Sequence, residues 1–353
     1  MVKDLYFENV KINQEEVDEK KTILMSKPRR LMAILTTMCN ISCIMCVKTR
    51  KTKDFTLPEK AVKRMVDFFP YLESVAWQGG EVFLVDYFKE LFQEAMRYPR
   101  LIQEINTNGL LFDEEWMDII RRANTRLIFS IDSIDKKIYE YIRKGARFEK
   151  LMENIESICR MEKTSDDLKL KKTINIVIMR SNYRTLGSFI DFALRYNFAG
   201  LNFLNMINVG DNSPQEDIFS PPDIEAMDYL KKALPPIIKR AESCGISVSC
   251  NITTLLREGR SPNSAPEPSN RDRLFCVMPW KSLCIDASRY GEVFPECLCH
   301  RPVGNICKNS LDEIWNNELM QVYRNKIRTH DLENWCNPDC IKELVNKTFL
   351  QTA

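Results

Sequence analysis

Three cysteine thiols that could bind metal lie close together in the sequence, at Cys39, Cys43 and Cys46. They follow residues 31–36, an apolar run typical of a buried strand, which places them on a loop at a strand end. Three thiolates can hold three corners of a cubane iron–sulfur cluster and leave its fourth iron open to another ligand. The alternative is a structural zinc site, which normally closes with four ligands. No histidine or further cysteine follows nearby, so the spacing favours the iron–sulfur cluster.

A second group of cysteines lies towards the C-terminal end of the sequence. It comprises Cys276, Cys284, Cys297, Cys299, Cys307, Cys336 and Cys340. The total of 13 cysteines is odd, the chain is long, and its first residues lack the apolar core of a signal peptide. These features argue against a secreted disulfide framework and indicate a reducing, cytoplasmic environment in which clustered thiols bind metal.

Charge and hydrophobicity argue against two classes of partner. The chain of 353 residues has 51 Lys+Arg against 49 Asp+Glu, a formal net charge of +2. This balance predicts no nucleic-acid-binding surface, and the sequence has no polybasic membrane segment and no apolar run long enough to span a membrane. The apolar fraction of 44% is sufficient for a sizeable core, and the length allows two domains.

Short apolar runs alternate with stripes of apolar residues at helical spacing along most of the chain. The runs predict strands at residues 31–35, 74–77, 101–106, 126–131, 174–179 and 201–207. The stripes between them, such as Val62, Met65, Val66 and Phe69, have the 3.6-residue period of amphipathic helices. This alternation predicts an α/β fold, a partial (β/α)6 barrel of parallel strands joined by right-handed crossovers.

Polar or glycine-containing motifs follow the first four predicted strands. After the cysteine loop come Gly79-Gly80-Glu81, Asn106-Thr107-Asn108-Gly109 and Ser130-Ile131-Asp132-Ser133. Each motif alone is a weak signal, because glycine at a strand end is commonly a turn residue. The carboxyl ends of parallel strands meet at one edge, so four such motifs in succession predict a single binding site there.

The sequence divides into four parts by composition. We predict an N-terminal extension at 1–28, a barrel domain at 29–256, a linker at 257–273 and a cysteine-rich domain at 274–353. The linker contains three prolines among serine, asparagine and charged residues.

Three local features are expected within the two larger parts. In the barrel domain, Pro235-Pro236 is expected to interrupt a helix, because proline lacks an amide donor. In the cysteine-rich domain, residues 285–293 predict a hairpin, and Ser310 with Glu313 predicts a capping box that opens a helix.

The loop Cys39-x3-Cys43-x2-Cys46, followed by Gly79-Gly80-Glu81 one strand–helix unit later, resembles the radical S-adenosylmethionine (SAM) superfamily. The C-terminal part of the chain resembles the SPASM/twitch auxiliary-cluster domain. The residues that carry this second resemblance are Cys276 to Trp280, Gly291 to Pro295, Cys297, Gly304 to Ile306, Ser310 to Trp315, Cys336 and Cys340. The two resemblances together cover roughly residues 30–342.

The first resemblance implies a [4Fe–4S] cluster held by Cys39, Cys43 and Cys46, with SAM bound at its open iron. Contacts with SAM are implied for Met45, Gly79, Gly80, Glu81, Asn108, Ser130, Asp132 and Arg143. Among these, the glycines would permit close backbone approach, Glu81 would pair with the ammonium group, and Arg143 would clamp the carboxylate. Met45 departs from the family, where this position is usually aromatic, although a thioether can fill the same gap.

The second resemblance implies an auxiliary [4Fe–4S] cluster held by Cys276, Cys297, Cys336 and Cys340. Cys299 is the alternative to Cys297, because the spacing after Gly291 is one residue longer than usual. A full SPASM domain needs a further series of cysteines to hold two auxiliary clusters. This sequence lacks that series, so one auxiliary cluster is expected.

Together the resemblances imply an enzyme in which a 5′-deoxyadenosyl radical abstracts a substrate hydrogen atom and the auxiliary cluster accepts an electron. We expect an oxidoreductase that dehydrogenates a small polyol, sugar or aminocyclitol-like substrate, because a leader-binding module has no room before Cys39. The alternative is a maturase of a ribosomal peptide or protein, acting by epimerisation, cross-linking or side-chain oxidation. A non-catalytic metal scaffold is a third alternative.

The same resemblance leads us to expect two further participants in the reaction. Arg180, just past the fifth predicted barrel strand, is the candidate catalytic residue. An electron donor such as flavodoxin or ferredoxin is the expected protein partner.

Overall fold

The computed structural model describes residues 5–46, 53–164, 169–206, 213–252, 275–297, 299–332 and 335–336. The strands are Arg30–Thr36 (β1), Ser42–Cys43 (β2), Ser74–Gly79 (β3), Ile102–Thr107 (β4), Thr125–Ser130 (β5), Arg143–Lys144 (β6), Leu170–Ile178 (β7), Gly200–Asn205 (β8), Ser247–Cys250 (β9), Ser282–Asp286 (β10), Glu292–Phe294 (β11) and Gly304–Asn305 (β12). The α-helices are Leu5–Asp18 (α1), Glu59–Val62 (α2), Phe88–Met96 (α3), Glu114–Arg121 (α4), Lys136–Ile142 (α5), Phe148–Lys163 (α6), Ser188–Arg195 (α7), Ile224–Ser243 (α8), Met278–Lys281 (α9), Leu311–Trp315 (α10) and Glu318–Arg328 (α11). Short 3₁₀ helices lie at Lys63–Tyr71, Val82–Leu84, Pro214–Glu216 and Ala287–Arg289.

The chain divides into two compact units, each of which draws on separate stretches of sequence. The first unit comprises Met1–Met38, Asp54–Glu104 and Ala265–Ala353, and the second comprises Cys39–Lys53 and Ile105–Ser264. The division between them falls within β4. The predicted linker at 257–273 lies outside the described residues, and the predicted four-part division of the chain stays a prediction.

In the first unit, β1 lies between β3 and β10 and is parallel to both. Leu31 is paired with Val75 on one side and with Leu283 on the other, and each of the three is at most 2% exposed. Burial on this scale is typical of a central parallel strand. β10 continues through antiparallel β11 to β12, which confirms the hairpin predicted at 285–293. The cysteine-rich C-terminal part of the chain therefore contributes strands to the sheet that contains β1.

Aromatic side chains around β3 form a core in the first unit. Trp77, Phe69, Phe88 and Phe92 are at most 1% exposed, and neighbouring rings meet edge to face with centroids 5.7 to 6.3 Å apart. Burial of one such ring contributes about 1.5–3 kcal/mol to folding. The indole N–H of Trp77 donates to Gln103 Oε1 at 3.0 Å, so this core contains no unsatisfied indole donor.

In the second unit, β5, β7, β8 and β9 are parallel neighbours in that order. Residues of β5 and β7 alternate between buried and half-buried positions, so one face of the sheet packs against apolar side chains. On the other face, Ser130, Asn175 and Asn202 stand side by side in register, and Asn202 Nδ2 donates to Asn175 Oδ1 at 2.8 Å. These three residues are termed the polar row.

The predicted α/β class is confirmed by the parallel strands and helices of both units. The capping box at the start of α10 is also confirmed. The predicted interruption at Pro235-Pro236 is wrong, because α8 continues through both prolines. The carbonyls that lose an amide partner belong to Lys231 and Lys232, which are exposed, so water can replace the missing donors. No described helix combines the length and apolar character needed to cross a lipid bilayer.

The segment that follows α1 is fixed to the C-terminal part of the first unit. The indole N–H of Trp315 donates to the carbonyl of Ser26 at 2.6 Å. Glu16 on α1 is 2% exposed and accepts hydrogen bonds from the backbone N–H of Met25 (2.6 Å) and from the N–H and hydroxyl of Ser26 (3.2 and 2.6 Å). The segment from α1 to Ser26 is thus packed into this unit.

Replacing Glu16 with alanine is expected to lower the free energy of unfolding by about 2–4 kcal/mol, because three donors would lose their acceptor in the protein interior. Urea unfolding of the variant and the parent chain measures the difference. Glu15→Ala is the matched control, since Glu15 is an exposed neighbour on the same helix. The control should stay within about 0.5 kcal/mol of the parent, and equal losses in both variants would contradict the prediction.

Candidate functional site

The loop that carries the three cysteines is held by a short antiparallel ladder in the second unit. β2 pairs with β6, which places Cys43 opposite Arg143, and the backbone N–H of Ile44 donates to the carbonyl of Ile142 at 2.9 Å. The backbone N–H of Cys46 donates to the carbonyl of Cys43 at 3.1 Å and tightens the loop. Cys43 is buried and Cys46 is exposed, so the thiols extend from the interior to the surface of this unit.

A buried ion pair lies behind Cys43. Arg143 Nη2 is 2.8 Å from Asp132 Oδ2, and Arg143 Nη1 donates to Cys43 Sγ at 3.6 Å. Asp132 is fully buried, and its other oxygen, Oδ1, accepts from the backbone N–H of Val177 at 2.9 Å. Two residues that were predicted as separate SAM contacts therefore form one arrangement with a cysteine of the loop.

Burial and charge both shift the pKa values around this ion pair. Burial raises the pKa of Asp132, against the opposite effects of Arg143 and the N–H of Val177. Burial by itself would lower the pKa of Arg143, but the negative charges of Asp132 and Cys43 raise it, so the guanidinium stays protonated. Burial raises the pKa of the Cys43 thiol to about 11, although Arg143 opposes this shift. A fixed cation beside a thiol suits a sulfur that binds metal as the thiolate.

Asn108 connects the cysteine loop to the residues that follow β4. Its Nδ2 donates to Asn40 Oδ1 at 2.8 Å and lies 3.9 Å from Cys39 Sγ, while its Oδ1 accepts from the backbone N–H of Leu110 at 3.0 Å. The side chain is 5% exposed. The residue predicted to contact SAM therefore also orients the loop at Cys39.

Met45, which stands where the family usually has an aromatic residue, packs into an apolar cluster. Ile44, Ile142, Met179 and Met206 form this cluster and are at most 7% exposed, and Met45 lies against them half-buried. The thioether fills irregular space among branched side chains. Its predicted contact with adenine stays a prediction.

In the first unit, Gly79 and Gly80 pack directly on the backbone that leads into the cysteine loop. Gly80 N donates to Thr36 O and Glu81 N donates to Met38 O, both at 2.7 Å. A Cβ on Gly80 would lie 1.9 Å from Met38 O, and Gly79 has φ +147° with Thr36 O 2.4 Å from where its Cβ would be. Close approach of two backbones therefore requires both glycines, independently of any ligand. Glu81 is fully buried beside them.

Arg180, the predicted catalytic residue, makes contacts that hold it at the surface of the second unit. Its Nε donates to the carbonyl of Gln215 at 2.8 Å, and Nη1 pairs with Asp223. The side chain is 51% exposed. Its catalytic role stays a prediction.

The cysteines predicted for the auxiliary cluster have different environments in the first unit. Cys276 and Cys336 are half-buried, Cys297 is exposed, and Cys340 lies outside the described residues. Burial raises the pKa of Cys276 to about 11, the N–H of Met278 lowers it, and Cys336 raises it further. The charge of Cys336 therefore acts on the Cys276 thiol.

Cys284 on β10 is affected by the charges of both candidates for the remaining ligand position. It is 1% exposed, and burial raises its pKa well above the ordinary value of a thiol. The negative charges of Cys297 and, more weakly, Cys299 raise the pKa further. The choice between Cys297 and Cys299 as the ligand stays open.

The residues of the cysteine loop fit an iron–sulfur cluster with an anionic ligand. Within the described ranges, no three His, Cys, Asp or Glu side chains converge as the ligands of a single metal ion would. A [4Fe–4S] cluster has no such requirement, because its thiolates bind separate irons. Arg143 Nε is buried and has no hydrogen-bond partner in the described part of the chain. An unused guanidinium donor of this kind suits a carboxylate.

Sequence reasoning missed two side chains that belong to this arrangement. Asn40 holds Asn108, and no pattern in the sequence distinguishes it from any other residue of the loop. Tyr139 is fully buried, and its hydroxyl has no hydrogen-bond partner among the residues described. Tyr139 lies on α5 and Arg143 begins the following strand, β6, so no helical spacing in the sequence links the two.

Comparison with protein-family models identifies the chain. The radical SAM superfamily model matches residues 33–193, and the SPASM model, an iron-sulfur cluster-binding domain, matches residues 276–341. The chain belongs to the radical SAM superfamily and carries a C-terminal SPASM domain. It is an enzyme, and the two domains imply a [4Fe–4S] cluster that binds SAM, an auxiliary cluster and SAM itself. These matches favour an iron–sulfur cluster over the zinc site and an enzyme over the non-catalytic scaffold.

Individual proteins resemble the chain more distantly. GTP 3′,8-cyclase of Synechococcus elongatus is 25% identical over 193 residues, which are 52% of this chain and 57% of that protein. The chain thus spans little more than half the length of this curated relative. SuiB of Streptococcus suis, bound to the precursor peptide SuiA, has a TM-score of 0.63 at 16% identity, covering 89% of this chain and 70% of SuiB. anSMEcpe with bound AdoMet and Cp18Cys peptide has a TM-score of 0.61 at 18% identity, covering 86% of this chain and 84% of anSMEcpe. These similarities show a common fold.

In the cluster-free chain, iodoacetamide is expected to alkylate Cys46 at least about tenfold faster than Cys43. The thiolate is the nucleophile, and Cys43 is buried and has a raised pKa, whereas Cys46 is exposed. Peptide mass spectrometry over a time course gives the two rates. Unfolding in urea should bring the rates together. Equal rates in the folded chain would show that Cys43 is not buried before the cluster binds.

Arg143→Met is expected to lower the free energy of unfolding by about 3–5 kcal/mol, because it leaves the Asp132 carboxylate buried without its cation. Adding Asp132→Asn to this variant should recover part of the loss, since a neutral amide is easier to bury. Lys144→Met, at the exposed neighbouring position, serves as the control. Denaturant unfolding of all four chains tests the prediction, which fails if Arg143→Met resembles the control.

Proposed function

We propose that the chain is a SAM-dependent radical enzyme that modifies a residue of a peptide or protein substrate. The observation that supports a peptide is the fold. It resembles, over 89% and 86% of this chain, two structures that hold peptides, SuiB with its precursor peptide and anSMEcpe with the Cp18Cys peptide. The maturase, which was the alternative from the sequence, is therefore our leading proposal.

In the proposed site, Cys39, Cys43 and Cys46 bind the first cluster. Arg143 places a positive charge beside Cys43, and its unused Nε donates to the SAM carboxylate. The ion pair with Asp132 holds the guanidinium beside Cys43. Further SAM contacts are proposed for Met45, Gly79, Gly80, Glu81, Asn108 and Ser130.

The bound cofactors supply a 5′-deoxyadenosyl radical, which abstracts a hydrogen atom from the substrate. The polar row offers amide and hydroxyl groups that act as both donors and acceptors, as the polar groups of a bound nucleoside or peptide require. Cys276, Cys336, Cys340 and either Cys297 or Cys299 would hold the auxiliary cluster, which would supply an acceptor for the substrate electron. The first cluster receives its electron from a donor such as flavodoxin or ferredoxin.

Dehydrogenation of a small polyol, sugar or aminocyclitol-like substrate was the first expectation from the sequence, and it stays a prediction. It uses the same radical and the same acceptor cluster, so the contacts of the site are common to both functions. Arg180 is proposed as a substrate contact in either case. The substrate itself is what separates the two functions.

The deciding experiment is deuterium transfer into 5′-deoxyadenosine from a labelled substrate panel. The reconstituted, reduced enzyme is supplied with SAM and with deuterated peptides, sugars or aminocyclitols under anaerobic conditions. We expect label to be transferred from a peptide and the peptide product to change mass. Transfer only from a sugar or aminocyclitol would replace our proposal with the dehydrogenase.

Two variants with exposed thiols provide the matched control for this assay. Cys46→Ala should abolish formation of 5′-deoxyadenosine, because the first cluster loses a ligand. Cys244→Ala should retain it, since Cys244 is equally exposed but lies at the end of α8. Retention of activity in Cys46→Ala would refute the assignment of the cluster ligands.

A further inference from the structure

Lys172 on β7 is a fully buried lysine whose amine contacts a cysteine. Its Nζ donates to Cys159 Sγ at 3.3 Å and to Glu162 Oε2 at 2.5 Å. Cys159 and Glu162 both belong to α6, the helix that precedes β7. A thiol and a carboxylate of the second unit therefore meet at one buried nitrogen atom.

Two hydrogen bonds of opposite direction orient the sulfur of Cys159. Its S–H donates to the carbonyl of Tyr196 at 3.3 Å, while the sulfur accepts from Lys172 Nζ. A lone pair of the sulfur, and not its proton, therefore faces the lysine. Cys159 is half-buried, which leaves it open to a small solute, whereas Lys172 is covered.

Burial and charge act in opposite directions on the Cys159 thiol. Burial raises its pKa, and the charge and the hydrogen bond of Lys172 lower it. The lysine thus favours the thiolate, which is the form that oxidants attack. The ion pair with Glu162 accounts for the buried charge of Lys172. It places no requirement on a thiol in contact with the same nitrogen.

The thiol and the amine lie away from the residues proposed to bind SAM. Val177, whose N–H donates to Asp132, is five residues further along β7 than Lys172. Five residues of an extended strand span about 16 Å. Neither Cys159 nor Lys172 is a proposed ligand of a cluster, of SAM or of the substrate.

We propose that Cys159 and Lys172 form an oxidation-sensitive modification site, in which a peroxide oxidises the thiol and the lysine amine then forms a covalent sulfur–nitrogen bond with it. The site is independent of the proposed function, because neither residue takes part in that reaction. Its product is a cross-link between α6 and β7. Thiols reverse such a bond, so the cross-link protects Cys159 from irreversible oxidation.

Two steps produce the cross-link from one molecule of hydrogen peroxide. In the first step the thiol sulfur forms a bond to one peroxide oxygen, the O–O bond breaks, and water leaves a sulfenic acid on Cys159. In the second step Glu162 takes a proton from the Lys172 ammonium, and the neutral amine attacks the sulfur. The S–N bond forms as the S–O bond breaks, and the hydroxide leaves as water with a second proton from the nitrogen. The sulfur supplies both electrons that reduce the peroxide, and the proton on Glu162 passes to solvent.

The test treats the folded full chain with hydrogen peroxide and analyses its tryptic peptides by mass spectrometry. We expect residues 151–160 joined to residues 172–180, with a mass two hydrogen atoms below the sum of the two peptides. Dithiothreitol should separate them. Urea added before the peroxide should lower the yield of the joined peptides at least about tenfold, because unfolding removes the contact between amine and sulfur.

Lys172→Arg keeps a positive charge beside Glu162 but supplies no amine for the second step. The joined peptides should then be absent, and Cys159 should accumulate as the irreversible sulfinic acid. Lys171→Arg is the matched control, because Lys171 is the exposed neighbour on the same strand. It should cross-link as the parent does. Circular dichroism of each variant checks that it folds, and the comparison of folded and urea-unfolded parent needs no variant.

Three results would overturn the proposal. In the first, Cys159 of the folded parent stays a thiol or becomes a sulfinic acid without any link to Lys172. In the second, the joined peptides form equally well in urea, so that the folded contact is irrelevant. In the third, Cys244, an exposed cysteine at the end of α8, is linked to lysine in equal yield, so that the reaction does not depend on the buried amine.

Discussion

The buried ion pair between Arg143 and Asp132 is the interaction on which the cysteine loop depends. Asp132 lies in the fourth predicted strand-end motif. Arg143 begins β6, and β6 in turn pairs with the strand that contains Cys43. Removing either charge would leave the other buried without compensation. The loop is therefore held by an electrostatic contact that also places a cation beside a thiol. In this way one interaction serves both the fold and the proposed binding of an anionic cofactor.

Local patterns made much of the α/β fold and the cysteine loop predictable, because residue types at fixed spacing are visible in one short window. The partnership of Asp132 with Arg143 was not predictable in this way. It arises because β6 pairs with β2, which lies far earlier in the sequence, and no periodic pattern predicts that pairing. At Pro235-Pro236 a local rule gave the wrong prediction. Proline lacks an amide donor and was expected to interrupt the helix, but the carbonyls that lose a partner belong to exposed residues, so α8 continues. Arg324, a fully buried arginine on α11, gave no signal, since a buried and an exposed arginine look alike in sequence.

Gly79 and Gly80 illustrate how one pattern can have two physical reasons. The sequence suggested that they admit a ligand closely, whereas the structure shows that they admit the backbone at Thr36 and Met38. The two reasons are compatible, because glycines that draw a strand end against the start of the cysteine loop also leave the neighbouring space free of side chains. A motif of this kind can be required for folding before any cofactor arrives.

The pairing of β1 with β10 has a consequence for how the protein matures. Residues 30–34 meet residues 282–286, so one edge of β1 has no partner until most of the chain has been synthesised. The strand that leads to Cys39 is therefore completed only after the segment that carries Cys276 has emerged from the ribosome. Completion of the sheet around β1 is therefore coupled to synthesis of the C-terminal part of the chain.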